Sequence, residues 1–234
     1  MLISICIPCM NRAHDLKRTM PSLIAAANAS PPVEIAVLDY NSGDDLREYV
    51  CKVRWTEPLD WQTPITYRRY TGRDYYHLAH GYNLAVRAST GEYCAIMGTD
   101  AVVAPGYIAA ARKLIAEGAV WMRAKDYKGI IVIQRQEFID AGGYDERFEF
   151  YGGEDKDLEA RLRRRGAKFG LMPQGLVHTL RTPDSEKTRN YRLPLSKREM
   201  MQRGAAIRAE NNERGVLIAN EGKGWGSWER PLNA

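Results

Sequence analysis

Three carboxylates stand directly after a pair of glycines in the stretch YGGEDKD, which runs from Tyr151 to Asp157. A carboxylate held beside a substrate hydroxyl can act as a general base and accept its proton. The same acids suit the first turn of a helix, where the helix dipole favours negative charge, and the glycines permit a tight approach to it. Asp157 precedes Arg161 by four residues, so we interpret it as a helix-stabilising acid. The stretch therefore predicts a helix start and leaves open whether Glu154 or Asp155 does chemistry.

A second group of polar residues follows the predicted β-strands. In an open α/β sheet, ligands bind beyond the carboxyl ends of the strands. The sequence contains neither a G-x-G-x-x-G nor a G-x-x-x-x-G-K motif, so a dinucleotide fold and a P-loop are not supported. Hydroxyl, amide and carboxylate groups at strand ends suit a nucleoside and a hard metal ion. The residues concerned are Pro8, Asn11 and Arg12 after the first strand, Asp39, Asn41, Ser42, Asp44 and Asp45 at the second, and Thr99 and Asp100 after the fourth.

Apolar runs that alternate with helical patterns must position these groups. Isoleucine- and valine-rich runs of four to eight residues indicate strands, and apolar residues that recur every three or four positions indicate helices between them. This alternation predicts an α/β fold with a mixed, mostly parallel sheet flanked by helices. The predicted strands cover residues 2–8, 33–38, 65–67, 93–97, 120–122, 130–133, 168–172 and 176–180.

The pattern of strands ends at about residue 180. We therefore predict one domain over residues 1–180 and a basic helical extension over residues 181–234, with a helix at 195–213 and a tail rich in glycine and tryptophan. The formal net charge is +5, and much of the excess lies after residue 160. A positive surface of this kind attracts polyanions, so the C-terminal half is predicted to contact one.

The composition and the cysteines narrow the class of protein. No apolar run approaches the roughly 20 residues that cross a bilayer, and the first residues lack a basic leader, which predicts a soluble cytoplasmic protein. Cys6 and Cys9 have the spacing of a redox dithiol or of half a zinc site. However, Cys6 lies inside an apolar run, and neither Cys51 nor Cys94 belongs to a second pair at that spacing. Buried, reduced thiols are the prediction.

Four blocks of the sequence, in order, resemble glycosyltransferase family 2, whose members have the GT-A fold. The run ISICIPCMNR resembles the family's first strand, and VLDYNSGDD resembles its acidic nucleotide-binding loop. HGYNLAVRASTGEYCAIMGTDAVVAPGYI is similar to the helix and strand that lead to the metal-binding D-x-D region, and FIDAGGYDERFEFYGGEDKDLEARLRRRGAKF to the acceptor-side block. The YGGED core resembles the W-G-G-E-D element of the β-1,4-galactosyltransferases.

This resemblance implies an inverting glycosyltransferase that moves a sugar from a nucleotide-sugar, most simply a UDP-sugar, to an acceptor hydroxyl. Asp155 would be the general base, and Glu154 would hold the acceptor hydroxyl. A single base without a partner nucleophile implies one displacement and inversion, as in inverting glycosidases. Tyr151, Gly152, Gly153 and Glu154 would bind the acceptor, with Tyr151 in place of the tryptophan.

The resemblance also implies a donor site. Asp39 would hydrogen-bond the base or the ribose, and Asn83 would lie near the diphosphate or the sugar. Taken alone, Asp39 and Asn41 fit a simple turn after a strand, and Asn83 fits an exposed helix position. The full implied set is Pro8, Asn11, Arg12, Asp39, Asn41, Asn83, Thr99 and Asp100.

A divalent metal, Mn²⁺ or Mg²⁺, is implied with Asp100 and His178 as its protein ligands. The family usually has two acids separated by one residue, whereas this chain reads Gly98-Thr99-Asp100, so the first acid is missing. Such an ion takes oxygen ligands and bridges substrate phosphates. If the metal is dispensable, basic residues such as Arg181 would neutralise the diphosphate instead.

Other functions stay open at this point. The missing acid at Gly98 suits a binding module with the same fold, either lectin-like or nucleic-acid-binding, and the order of strands and acids suits a nucleotidyltransferase. The segment CMNRAHDLKR contains no glycine, which disfavours the latter. For a glycosyltransferase, the sequence leaves four acceptors open: a glycan, a lipid-linked saccharide, a protein or a modified DNA base. The DNA base would suit the positive face. Trp225 and Trp228 are candidates for stacking on a sugar or a base.

Overall fold

The computed structural model describes residues 1–56 and 63–226, which form an α/β fold. Residues 227–234, which include Trp228 and the end of the predicted tail, lie outside the described residues. The strands are β1 (Ile3–Cys9), β2 (Val33–Tyr40), β3 (Ile65–Tyr70), β4 (Tyr93–Ile96), β5 (Ala101–Val103), β6 (Trp121–Ala124), β7 (Ile131–Gln134), β8 (Phe169–Met172) and β9 (Val177–Thr179). The helices are α1 (Ala13–Asn28), α2 (Leu46–Thr56), α3 (Leu78–Ala88), α4 (Tyr107–Ala116), α5 (Arg135–Asp140), α6 (Glu154–Arg164), α7 (Asp184–Thr188) and α8 (Lys197–Glu213).

The main sheet of the described residues has seven strands in the order β3-β2-β1-β4-β7-β6-β8. The pairs β1 with β2, β1 with β4, β2 with β3 and β6 with β8 are parallel, whereas β7 is antiparallel to β4 and β6. Every residue of β1 and β2 is buried, as expected for strands covered by helices on both faces. The predicted mixed, mostly parallel sheet is therefore confirmed.

The two faces of the sheet carry separate apolar layers because side chains alternate along a strand. Ile5 of β1 belongs to the layer that contains Leu16 of α1, while the next residue, Cys6, belongs to the layer that contains Leu84 of α3. Cys6 and Cys9 are free and buried in β1, and burial raises the pKa of both thiols. The prediction of buried thiols at these positions is confirmed.

A second, two-stranded sheet pairs β5 with β9 in antiparallel orientation. Strand β9 lies within the predicted strand at 176–180, whereas the sequence pattern predicts no strand at 101–103. Three residues give too short a run for a period of two to be recognised, and the pairing partner lies more than 70 residues away in the chain. This small sheet fixes the turn after β4, which carries Asp100.

The C-terminal segment packs against the rest of the structure. Helix α8 begins with a capping box, in which Ser196 accepts a hydrogen bond from Glu199 N and the Glu199 carboxylate accepts one from Ser196 N. The helix contacts α6 and α7, and Ala219 beyond it donates a backbone hydrogen bond to Ala141 O at 3.0 Å. Among the described residues, no helix combines the length and the apolar character needed to cross a membrane.

Candidate active site

A cleft of about 360 Å³ opens at the carboxyl ends of β1 and β4, opposite the start of α6. Its wall combines segments that are distant in sequence, among them the end of β1, the turn after β4, the turn before α6 and the segment around α7. Parallel strands β1 and β4 deliver their carboxyl ends to the same edge of the sheet, which is where ligands bind in such folds. The predicted residues that line the cleft are Pro8, Arg12, Thr99, Asp100, Tyr151, Gly152, Glu154 and Asp155.

Two glycines shape the entry into α6. Gly152 and Gly153 have φ values of +95° and +100°, a region that side chains with a Cβ rarely adopt. Helix α6 begins at Glu154, immediately after this turn, so Glu154 and Asp155 stand in the first turn with their carboxylates in the cleft. The positive end of the helix dipole favours acids there. Gly153 supports the turn but does not itself line the cleft.

Glu154 is held in an unusual electrostatic state. Its Oε2 atom is buried and has no hydrogen-bond partner among the described residues. Burial, and secondly the negative charge of Asp155, raise the pKa of Glu154 to about 8. Two adjacent carboxyl groups in different environments can divide the roles of hydrogen-bond donor and proton acceptor. A protonated Glu154 can donate a hydrogen bond to a substrate oxygen while Asp155 accepts a proton.

Replacing Glu154 with glutamine is expected to change how stability depends on pH. The raised pKa of about 8 means that the folded protein holds a proton that the unfolded chain releases above 4.5. Wild-type stability should therefore fall, relative to Glu154→Gln, as pH rises from 4.5, and the difference should level off above about 8. Urea unfolding on both sides of this range measures the difference, and each pKa unit corresponds to about 1.4 kcal/mol.

Glu213→Gln removes an exposed carboxylate at the end of α8 and serves as the control for that measurement. Its stability should follow that of the wild type at every pH. A Glu154→Gln protein that shows the wild-type pH dependence would mean that Glu154 titrates normally.

Helix α8 packs directly on the glycine turn. A Cβ atom added to Gly204 would lie 2.1 Å from the carbonyl oxygen of Gly152, so these two backbones are in contact. Asn211, two turns later, donates hydrogen bonds to Asp157 Oδ1 at 2.8 Å and to Asp145 Oδ2 at 2.9 Å. The C-terminal helix therefore supports both the turn and the first turn of α6.

A buried ion pair fixes α6 to the preceding loop. Asp157 and Arg161 are both fully buried, and Arg161 Nε donates to Asp157 Oδ2 at 2.8 Å. The remaining guanidinium nitrogens donate to Ala141 O at 2.6 Å and Gly143 O at 2.7 Å. The interpretation of Asp157 as a helix-stabilising acid is confirmed. Buried charges are stable when they are paired and hydrogen-bonded, so these contacts hold the acceptor-side block in place.

Asp100 faces the cleft from the turn after β4. Burial raises the pKa of its carboxyl group, while Lys187 and Arg12 act in the opposite direction. The cleft thus offers the carboxylate of Asp100 to a metal ion. Mn²⁺ and Mg²⁺ are bound by one or two carboxylates completed by phosphates and water, so this carboxylate fits such an ion.

His178 lies on β9 opposite Val102, is exposed, and does not line the cleft. Alternation along the strand places its side chain on the face opposite Thr179. A metal shared by His178 and Asp100 stays a prediction. The described residues do contain one group of three potential metal ligands, formed by His14, Asp15 and Glu186, of which Glu186 lines the cleft.

Asp39 is enclosed within the protein. Tyr67 donates a hydrogen bond to its Oδ2 atom, Ser42 N donates to Oδ1 at 2.7 Å, and an Arg69 nitrogen lies 3.6 Å from Oδ2. The residue is fully buried and does not line the cleft. Both oxygens thus have internal partners, and contact of Asp39 with the nucleotide stays a prediction.

Asn11 and Asn41 serve as turn residues. Their φ values are +54° and +56°, in the left-handed region that asparagine tolerates better than most residues. Asn11 Oδ1 accepts a hydrogen bond from Gly43 N at 2.7 Å, and Asn41 Nδ2 donates to Arg73 O at 2.9 Å. Neither residue lines the cleft; both shape the loops at the strand ends.

Asn83 is fully buried, so the exposed-helix alternative is wrong, and its place near the diphosphate or the sugar stays a prediction. Its Nδ2 donates to Tyr144 O at 2.9 Å and Glu146 Oε1 at 3.0 Å, and its Oδ1 accepts from Tyr144 N at 2.8 Å. These bonds join α3 to the loop that leads into the acceptor-side block. No local pattern in the sequence indicates this role.

Most of the aromatic and C-terminal residues of the cleft wall are not predicted from the sequence. Aromatic rings offer flat apolar faces with a polar tip, which suits contact with a ring-shaped ligand. The tyrosines are scattered over more than 100 residues, and only the fold collects them. The missed lining residues include Tyr76, Tyr82, Tyr127, Lys128, Lys187, Asn190, Tyr191 and Met201.

The sequence and the fold of this chain are each similar to those of known proteins. A sequence model of the family described as Glycosyl transferase family 2 matches residues 4–167. No curated protein matches the sequence significantly. Apart from Ile3, the matched range contains strands β1 to β7 and ends three residues after α6, so β8, β9, α7 and α8 lie beyond it.

Solved structures share the fold at low sequence identity. TarS from S. aureus, residues 1–349 in complex with UDP-GlcNAc, has a TM-score of 0.59 and 14% identity over 78% of this chain and 60% of that chain. The mannosyltransferase PcManGT from Pyrobaculum calidifontis, in complex with GDP-Man and Mn²⁺, has a TM-score of 0.65 and 17% identity over 92% of this chain and 76% of that chain. The chain spans about 60% of the length of the TarS fragments that it matches.

Proposed function

The chain belongs to glycosyl transferase family 2, and on that premise we propose that it is an inverting, metal-assisted transferase that moves a sugar from a UDP-sugar to an acceptor hydroxyl. The observation that carries this proposal is the position of Glu154 and Asp155 at the start of α6, in the same cleft as Asp100 and the end of β1. The two carboxylates and the strand ends thus meet around a space large enough for a substrate.

Asp155 is the proposed general base. It accepts the proton of the acceptor hydroxyl as the oxygen attacks the anomeric carbon of the donor. The bond from that carbon to the diphosphate breaks, and its electron pair goes to the departing nucleoside diphosphate. One displacement with no covalent intermediate gives inversion, by the same geometric logic as inverting glycosidases.

Glu154 is the proposed acceptor-binding residue. With its pKa raised to about 8, it is protonated at neutral pH and can donate a hydrogen bond to an acceptor oxygen. The YGGED stretch resembles the corresponding element of the β-1,4-galactosyltransferases, which supports this division of roles. The tyrosines of the cleft wall support a saccharide as the acceptor, on a glycan, a lipid or a protein, since their rings can pack against a sugar.

A divalent ion is proposed beside Asp100, whose carboxylate would hold it together with the donor diphosphate. When bound, Mn²⁺ or Mg²⁺ offsets negative charge on the leaving group. The presence of Mn²⁺ in the PcManGT structure supports this choice of ion. Within the proposed division of the chain, residues 1–180 supply the carboxylates and the extension from residue 181 supplies one wall of the cleft.

Nucleotide binding is the first expected result. UDP or a UDP-sugar with Mn²⁺, at about 100 times its dissociation constant, should raise the melting temperature by about 5 to 10 °C. A thermal-shift series with UDP, UDP-GlcNAc, GDP and GDP-mannose measures the effect, with Mn²⁺ alone as the control. If none of the nucleotides stabilises the protein beyond Mn²⁺ alone, the proposed function is wrong.

A binding module without turnover is the second candidate, because Gly98 replaces the first acid of the metal-binding region. The unpaired, buried oxygen of Glu154 favours the enzyme, since an unsatisfied polar atom in a cleft costs stability and is typical of catalytic sites. Substitution of Asp155 separates the two candidates.

A further inference from the structure

The turn after β4 is tight at the position of the missing acid. A Cβ atom added to Gly98 would lie 3.1 Å from Asp100 Oδ1 and 3.7 Å from the Tyr82 hydroxyl. The carboxylate of Asp100 therefore lies next to the position where a first acid would stand, and a side chain there would require it to shift by a few tenths of an ångström. With glycine at this position, the turn carries one carboxylate instead of two.

A lysine from outside the family-matched range lies beside that carboxylate. Lys187 Nζ is 3.9 Å from Asp100 Oδ2, and the two side chains are 20% and 19% exposed. This distance exceeds that of a hydrogen bond, so the pair attracts electrostatically while the ammonium keeps its donors for another acceptor. Lys187 lines the cleft and also the shallow surface next to it, which contains Arg181.

The backbone that carries Lys187 is anchored to the end of β1 and to the start of α1. We call residues 182–191 the strap. At its first end, Arg12 donates to Thr182 Oγ1 at 3.3 Å, and His14 Nε2 lies 2.6 Å from Glu186 Oε1. At its other end, Asn190 Nδ2 donates to Met10 O at 2.9 Å. Lys187 lies between these anchors, so its place in the cleft is built into the fold.

A nucleoside diphosphate that enters this cleft needs a positive charge beside Asp100. Two negative groups in a partly buried site repel each other, and a lysine ammonium is an effective phosphate partner because its three donors can point in several directions. Arg12 is already committed to Asp15, to which it donates two hydrogen bonds. The described part of the cleft wall also includes Lys128 and Lys156, but Lys187 is the lysine whose ammonium lies within 4 Å of Asp100.

We propose that Lys187 binds the diphosphate of the nucleotide-sugar, so that the protein retains affinity for the nucleotide without a divalent ion. This inference rests on the proposed function. Lys187 stays protonated throughout: it donates a hydrogen bond to the phosphate oxygen that receives the electron pair of the broken glycosidic bond. The acceptor proton goes to Asp155, and no other charge is transferred.

Binding of UDP and GDP in EDTA and in Mn²⁺ tests this inference. Calorimetry is made on the wild type, Lys187→Met, Lys187→Arg and the control Lys113→Met, whose lysine is exposed on α4 outside the cleft. The wild type should bind one of the nucleotides in EDTA, and Lys187→Met should weaken that binding by about 10- to 100-fold, the range for a hydrogen bond to a charged group. Lys187→Arg keeps the charge and should lose less nucleotide affinity than Lys187→Met. Lys113→Met should bind the nucleotide as tightly as the wild type does.

Each alternative outcome has a separate meaning. If the wild type binds nucleotide with Mn²⁺ but not in EDTA, or if Lys187→Met binds as Lys113→Met does, the inference about Lys187 is wrong and the proposed function stands. If no nucleotide binds under either condition, the proposed function fails and the inference fails with it. Melting temperatures of the four proteins identify any loss that comes from unfolding.

Discussion

Replacing Asp155 with asparagine is expected to lower the rate of sugar transfer by about 10²- to 10⁴-fold, the usual contribution of a positioned general base. Asparagine keeps the size of the side chain and its place in the first turn of α6, but it cannot accept the hydroxyl proton. Nucleotide affinity should stay within a few-fold of the wild type because the reaction step, and not donor binding, is affected. The measurement is UDP release from the stabilising UDP-sugar, with water or an added saccharide as acceptor.

The matched control is Asp140→Asn, which removes an exposed carboxylate at the end of α5, outside the cleft. Its rate should equal that of the wild type. Full turnover by Asp155→Asn would remove Asp155 as the base. A wild type that binds nucleotide but never turns over, with Asp155→Asn binding equally well, would favour the binding module.

Replacing Gly204 with alanine should impair catalysis. Gly204 lies in α8, which is beyond the residues that the family model matches. In an open helix interior this change stabilises a protein by about 0.4 to 1 kcal/mol. Here the new methyl group would meet Gly152 O at 2.1 Å, so α8 or the glycine turn must shift. Overpacking of this kind costs about 1 to 3 kcal/mol, which outweighs the gain, and the protein should become less stable.

The shift should also move the carboxylates that follow the turn. A displacement of about 1 Å can cost on the order of 10²-fold in rate, so UDP release should fall far more than nucleotide affinity. Gly224→Ala is the control because it adds the same methyl group where nothing lies within 4 Å. A Gly204→Ala protein with wild-type turnover and lower stability would mean that α8 supports the fold without positioning Glu154 and Asp155.

If Gly204→Ala does not fold, Asn211→Ala tests whether α8 positions the glycine turn without adding a methyl group. It removes the hydrogen bonds from α8 to Asp157 and Asp145, which lie on either side of the turn. The expected result is again a fall in turnover that exceeds the fall in nucleotide affinity. Positioning of the catalytic turn would then depend on the hydrogen bonds of α8 as well as on its packing.

Features of this protein that depend on local patterns can be predicted from short stretches of its sequence. Apolar runs separated by helical periods predicted the strands and the mostly parallel sheet, because both periods are properties of short segments. The glycine pair before the acids predicted the start of α6, and the spacing of four residues predicted the contact of Asp157 with Arg161. Strand ends in such a sheet meet at one edge, which is why Pro8, Thr99 and Asp100 were predicted near one another.

Which of the polar residues line the cleft depends on how distant segments of the chain pack together. Asp39 and Asn83 match the family blocks, yet their side chains bond to neighbours from other segments. His178 is exposed and outside the cleft lining, and the pairing of β9 with β5, across more than 70 residues, sets its face of the strand. Lys187 and Gly204 reach the site from beyond the matched range. Their roles depend on contacts between segments remote in sequence, and local periodicity and composition contain no record of such contacts.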